Sequence, residues 1–270
     1  MTRLSLGLGA AALMAAIALI AVMWTPYAVD TVDVANRFAS GSLEHPLGTD
    51  QYGRDVVSML MAGAATSLGV GLGAVLIGVV CGVPLGLAAA SLTGWRASVI
   101  MRGNDLVFAF PALITAAILT TLTGPRAINA LIAIGVFNTP VFARLAANSA
   151  RQVLALDFVA VARLAGKGRV RIAVEHILPN IAPVILTQAA TQFAVAVLAE
   201  AGLSYVGLGA QPPAVSWGRM LAEGQTLIVL APQLALWPGI AIALSVLAAT
   251  VLGEGLRRRL DPRLARFAGK

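Results

Sequence analysis

Long apolar runs free of charge alternate with short polar stretches along this chain. Residues 4–24 form the first such run. No charge falls between Asp55 and Arg96, which leaves room for a short lead-in helix and a span near residues 67–92. Residues 106–123, 127–143 and 181–199 are the third, fourth and fifth runs, and a sixth lies within residues 224–253, beginning near Leu234. A bilayer core asks for about 20 apolar helical residues, so the pattern predicts an all-α fold with six transmembrane helices. An even number of crossings puts both chain ends on one side. The organising polar interval is residues 144–180, whose centre predicts two short helices with a glycine break. Asp157 stands where a carboxylate meets the free N–H groups of a helix N-terminus. Phe158, Val161, Ala162 and Ala165 recur at helical spacing and give one apolar face. Gly166 and Gly168 suit the left-handed conformation that ends such a helix. Val170, Val174 and Ile177 restart the period before Pro179 and Pro183 open the next run.

Composition narrows the class. Hydrophobic residues make up 59% of the 270 and charged residues 11%, against about 25% charged in soluble domains. Such a chain cannot cover a soluble surface, so membrane lipid is its solvent. The net charge of +7 reads as an orientation signal: fifteen of the nineteen Lys and Arg fall in the two tails, the second interval and the 144–180 interval, and four in the first, third and fifth intervals. The positive-inside rule then makes both termini and the 144–180 loop cytoplasmic. Nucleic-acid binding is not read from this charge. A cleaved signal peptide is the alternative for the first run. That run is long for an h-region, and no small-x-small site precedes Trp24, so an uncleaved span is expected. Cys81, the one cysteine, falls in the second span, where it reads as a small packing residue.

Residues with reactive chemistry are few. Residues 45–55 read His-Pro-Leu-Gly-Thr-Asp-Gln-Tyr-Gly-Arg-Asp, rich in turn formers. His45, Asp50 and Asp55 offer metal-ligand types, but carboxylates capping turns are the expected use, and no metal site is assigned. Gly69, Gly71, Gly73, Gly78, Gly82 and Gly86 stud the second span, where small residues let helices approach closely in lipid; with Pro84 they also leave it able to bend. Pro111 falls in the first turns of the third span, and Pro140 implies a kink near the end of the fourth. In the fifth span Gln188 and Gln192 share a face, with Thr187 and Thr191 beside them; such groups either join helices or line a wet path. Glu200 follows Leu178 by 22 residues, roughly 33 Å of helix, which places it at the far interface and argues against a proton relay at mid-membrane. Gly166-Lys167-Gly168-Arg169 lacks the spacing and hydroxyl of a phosphate loop, and no nucleophile–base pair is visible. No catalytic residue is assigned, and the chain is not expected to hydrolyse ATP.

Ala160-Val161-Ala162-Arg163-Leu164-Ala165-Gly166 and Ile177-Leu178-Pro179 resemble the cytoplasmic Glu-Ala-Ala loop of ABC importer permeases, with Ala160 at the family's glutamate and Val161 at its first alanine. The 45–55 run resembles the signature of the dipeptide, oligopeptide and nickel subgroup of these permeases. Residues 199–213 with Ser216-Trp217-Gly218-Arg219-Met220, and the tail Leu256-Arg257 through Leu260-Asp261-Pro262-Arg263, are similar to the same subgroup. One further departure is the lack of an aromatic residue around Asn138-Thr139. The resemblance implies a type I importer permease: one transmembrane domain over residues 1–270 with a core at 55–256, in a bacterial inner membrane. It implies a second homologous permease, two ATP-binding subunits that hold ATP and magnesium, and an external solute-binding protein; this chain itself carries no cofactor. Asp157, Phe158, Ala160, Val161, Ala162, Arg163, Ala165 and Gly166 would form the coupling helix against an ATP-binding subunit. Gln188, Thr191 and Gln192 would line the path, where uncharged groups suit peptides that share only their backbone.

A self-sufficient secondary transporter or channel is the alternative. It calls for titratable groups at mid-membrane or repeat-related broken helices, and neither is visible in the sequence. A structural membrane scaffold would show no nucleotide dependence. Liposomes holding the purified chain alone separate these readings.

Overall fold

Residues 2–260 are described by a computed structural model; the tail motif from Asp261 to Arg263 lies outside them. Ten α-helices build the described fold, and its one β feature is an isolated bridge between Thr49 and Asp55. Three helices form the centre: α2 (Val56–Ser91), α5 (Ala127–Leu154) and α8 (Leu178–Tyr205). On α2, Gly78, Gly82 and Gly86 repeat every fourth residue and face α5. A Cβ on Gly78 would lie 2.7 Å from the Asn138 Cβ, and one on Gly82 or Gly86 would strike the carbonyl of Thr139 or Ala143. Opposite them Phe142, Ala143, Ala146, Ala147 and Ala150 are fully buried. This close backbone approach is the packing that holds helices together where lipid removes the hydrophobic drive between them. It also explains why α2 stays one unbroken helix of 36 residues, about 54 Å long, where the length of the charge-free run suggests a lead-in helix plus a span: the space its glycines leave is filled by a neighbour.

α1 (Thr2–Met23) and α10 (Gln233–Leu260) pack outside the centre. The expected third span is corrected. It is a bent pair, α3 (Trp95–Ala109) and α4 (Ala112–Thr123), meeting at 74°; five helices are long and apolar enough to cross a membrane, and the pair counted as one broken span makes six. Pro111 sits at the break and not within a turn. It has no N–H to continue the ladder and forces Phe110 to an extended conformation, φ −89° and ψ 113°. The fourth run also continues past residue 143, since α5 carries Arg144 and Arg151 to Leu154.

Two ends of the bundle follow from these contacts. One gathers the C-termini of α2 and α5, the start of α8 and α6 (Asp157–Leu164). There Gly7 meets Leu252 and Gly255 meets Leu4, so the first and last described turns share this end. The other holds the start of α2, the finish of α8, α9 (Trp217–Thr226) and the loop from residue 24 to 55.

Candidate functional site

Between α5 and α8 the chain forms α6, then α7 (Arg169–Ile172), which runs through a π-turn at Ala173–Ile177 into α8 without a break. α6 ends in a Schellman cap: Lys167 N donates to Ala162 O at 3.1 Å and Gly166 N to Arg163 O at 3.0 Å. Gly166 takes the left-handed conformation there (φ +79°), while Gly168 is extended (φ −69°, ψ 162°) and only the first of the two expected glycines serves that role. Asp157 is the first helical residue, after Leu156, which supplies no capping side chain.

Two side chains anchor α6 to the bundle, Val159 at 0% exposure and Ala162 at 7%. The expected apolar face is therefore divided. Ala162 points inward with Val159, whereas Phe158, Val161, Ala165 and Gly166 are exposed with Ala160, Arg163 and Asp157. Leu164, which the periodicity passed over, is 88% exposed. Phe158, Val161 and Leu164 stand three apart, on one outward stripe. Behind it lies a polar brace: Lys167 Nζ donates to Glu175 Oε2 at 2.7 Å, Arg171 Nε to Glu175 Oε1 at 2.6 Å, and Lys167 Nζ lies 3.0 Å from His176 Nε2. The His176 ring meets Phe158 edge-on at 6.1 Å. These pairs are solvent-facing and contribute little stability; they set the angle at which α6 leaves α8.

The path candidates separate on α8. Gln188 is half-buried, Thr191 is exposed and Gln192 is buried at 8%. Thr191 Oγ1 donates to Thr187 O at 3.3 Å, and Gly253 of α10 closes on the same turn. Neither glutamine amide hydrogen-bonds to a described residue.

At the opposite end Glu200 is fully buried. Its Oε1 accepts from Ser204 Oγ at 2.6 Å, the hydroxyls of Ser67 and Ser216 face the same carboxyl, and Oε2 has no partner among the described residues. Trp217 N donates to Ser67 Oγ at 3.2 Å and its indole Nε1 to Leu60 O at 2.9 Å, so α9 is tied to α2 and α8 together. Helix length alone placed Glu200 at an interface and missed its burial; the sequence signal is the run of hydroxyls at Ser204 and Ser216. The 45–55 run is a network of capping carboxylates. Asp55 Oδ2 accepts from Ser58 N at 2.8 Å at the start of α2, and Oδ1 meets His45 Nδ1 at 3.0 Å. Asp50 accepts from the backbones of Tyr52 and Arg54. No group of three metal-ligating side chains forms among the described residues.

A helical subunit that crosses the membrane several times, and presents a short amphipathic helix beyond its spans, is the class that this geometry defines. The chain belongs to the family described as binding-protein-dependent transport system inner membrane component, whose pattern matches residues 82–266. It is 38% identical to the glutathione transport system permease protein GsiD of Pectobacterium atrosepticum, over 93% of this chain and 84% of that one. It is equally identical to the dipeptide transport system permease protein DppC of Alkalihalophilus pseudofirmus, over 92% and 82%. The di/tripeptide transport system permease protein DppC of Pseudomonas aeruginosa is 40% identical over 84% and 75%. A solved chain of the MetNI methionine ABC transporter in inward-facing form shares the fold, with a TM-score of 0.60 at 16% identity, over 75% of this chain and 96% of that one. The protein is thus a multi-pass permease subunit of the bacterial inner membrane, from a family that works with ATP-binding subunits and a substrate-binding protein.

Proposed function

We propose that this chain is one of two homologous membrane subunits of an ATP-driven importer of short peptides, with both termini and α6 in the cytoplasm. The observation that carries the reading is the exposed stripe of Phe158, Val161 and Leu164 on a helix fixed at both flanks. An apolar stripe outside the spans is stable when a partner covers it, and each of two ATP-binding subunits would receive one such helix. The named cargoes of the relatives, glutathione, dipeptides and di/tripeptides, support peptide cargo. The skewed Lys and Arg distribution supports the orientation.

In this reading the chain holds no cofactor and catalyses no reaction; ATP and magnesium sit on the partners. Closure of the ATP-binding subunits moves α6, and the continuous helical run Arg169–Tyr205 carries the displacement to the path at Gln188, Thr191 and Gln192. Ala160 stands where a glutamate would add an ion pair, so docking rests on apolar burial and withstands moderate salt. Co-expression with its neighbouring genes and reconstitution in proteoliposomes test the proposal. Labelled dipeptide should accumulate only with ATP, binding protein and both permeases present. Uptake by this chain alone would establish the secondary-transporter reading instead.

A further inference from the structure

A cavity of about 550 Å³ opens at the α9 end, between the loop from residue 24 to 55 and α9. Its volume lies in the range of small-molecule sites, about 300–1,000 Å³. Two arginines with unused donors form one wall. Arg54 gives Nε to Asp50 at 2.6 Å and Nη2 to Glu223 at 3.1 Å; Arg219 gives Nε to Glu223 at 2.8 Å and Nη1 to Gln211 at 3.0 Å. Nη1 of Arg54 and Nη2 of Arg219 have no partner among the described residues. Glu223 therefore holds both guanidinium groups in place while one terminal nitrogen of each stays free, and two such charged N–H donors side by side can receive the two oxygens of a carboxylate. At the rim Asp30 is exposed and pairs with no described residue. Between these charges the lining is apolar, with Met59, Val215 and Met220.

We infer that this cavity binds a free short peptide by its two termini, the α-carboxylate on Arg54 and Arg219 and the α-ammonium on Asp30. The inference rests on the reading of the chain as a peptide-importer permease, and it assigns to this subunit a cargo contact distinct from the path on α8. Both charges of a zwitterion find an opposite number, and a di- or tripeptide spans about 7–11 Å, in keeping with a cavity of this volume. Methionine is unbranched and adaptable, so a floor of Met59 and Met220 accepts varied side chains while the termini fix the register.

The test uses the complete transporter in nanodiscs without its binding protein, probed with radiolabelled L-alanyl-L-alanine and its N-acetyl and C-amide forms. Saturable binding is expected for the free dipeptide, at least tenfold weaker for each blocked form. Asp30→Asn, at an exposed position with no partner to lose, should erase the difference between free and N-acetyl dipeptide while keeping the preference over the C-amide. Arg219→Lys should weaken the free dipeptide and spare the C-amide. Equal binding of free and blocked dipeptides, or none, overturns the inference. So does an Asp30→Asn variant that weakens capture of the binding protein without changing peptide binding, since the cavity then serves protein docking. Dipeptide uptake by the full system is measured in parallel: intact uptake with no cavity binding sinks this inference alone, and absent uptake of any peptide sinks the reading beneath it.

Discussion

The α6 end and the α9 end each carry a short helix, and the two are held in opposite ways. α9 buries Trp217, Gly218, Met220 and Gly224, closes with Gly218 against the Ala201 backbone and is tied by Ser67, Ser204, Ser216 and Glu200. α6 buries Val159 and Ala162 and leaves its other apolar side chains out. A helix sealed by its own chain is part of the fold. A helix whose cap and flanking brace are complete, but whose apolar stripe is bare, is built to be covered by another.

The largest effect is expected at the sealed end. Trp217→Ala removes a buried ring and an indole hydrogen bond, and should destabilise the chain by about 3–5 kcal/mol, read as a lower thermal midpoint in detergent. An unchanged midpoint would remove the distinction between the two ends. Next comes Gly166→Val. A Cβ there meets nothing within 4 Å, so the cost is the left-handed backbone alone, about 1–3 kcal/mol. The protein should insert normally while uptake falls and ATPase loses its dependence on cargo; normal uptake would defeat the coupling role of α6. Leu164→Ala is smaller, about 1–2 kcal/mol. It should leave the thermal midpoint of the isolated chain unaltered and weaken retention of the ATP-binding subunit roughly tenfold, at low and moderate salt alike. Dissociation of the wild type at modest salt would contradict apolar docking. The smallest effect concerns the path: cysteine at 188 should react with a water-soluble thiol reagent faster than cysteine at 192, and no labelling at either position in any nucleotide state would favour helix packing as their purpose.

The sequence made the spans legible because lipid imposes one rule on every residue that crosses it. Their breaks were less legible. Gly82 and Pro111 are both helix breakers by local propensity, yet one sits mid-helix and the other at a 74° bend. The difference is tertiary: α5 fills the space beside Gly82, and nothing restores the hydrogen bond that Pro111 cannot make. At α6, helical spacing identified the residues but not their direction, because Phe158, Val161, Ala162 and Ala165 fit one stripe as well as two. Only the placement of α5 and α7 divides inward Val159 and Ala162 from outward Leu164. The burial of Glu200 was not legible for the same reason, since rise per residue gives depth along a helix, which placed it at the far end, and says nothing of what lies over it.

The most direct test of the α6 assignment places a photo-crosslinking amino acid at position 164 in the assembled transporter and identifies what it captures. A crosslink to an ATP-binding subunit is expected, with a yield that changes when ATP is bound. Capture of lipid or of the second permease, with no ATP-binding subunit in any nucleotide state while uptake remains intact, would contradict it.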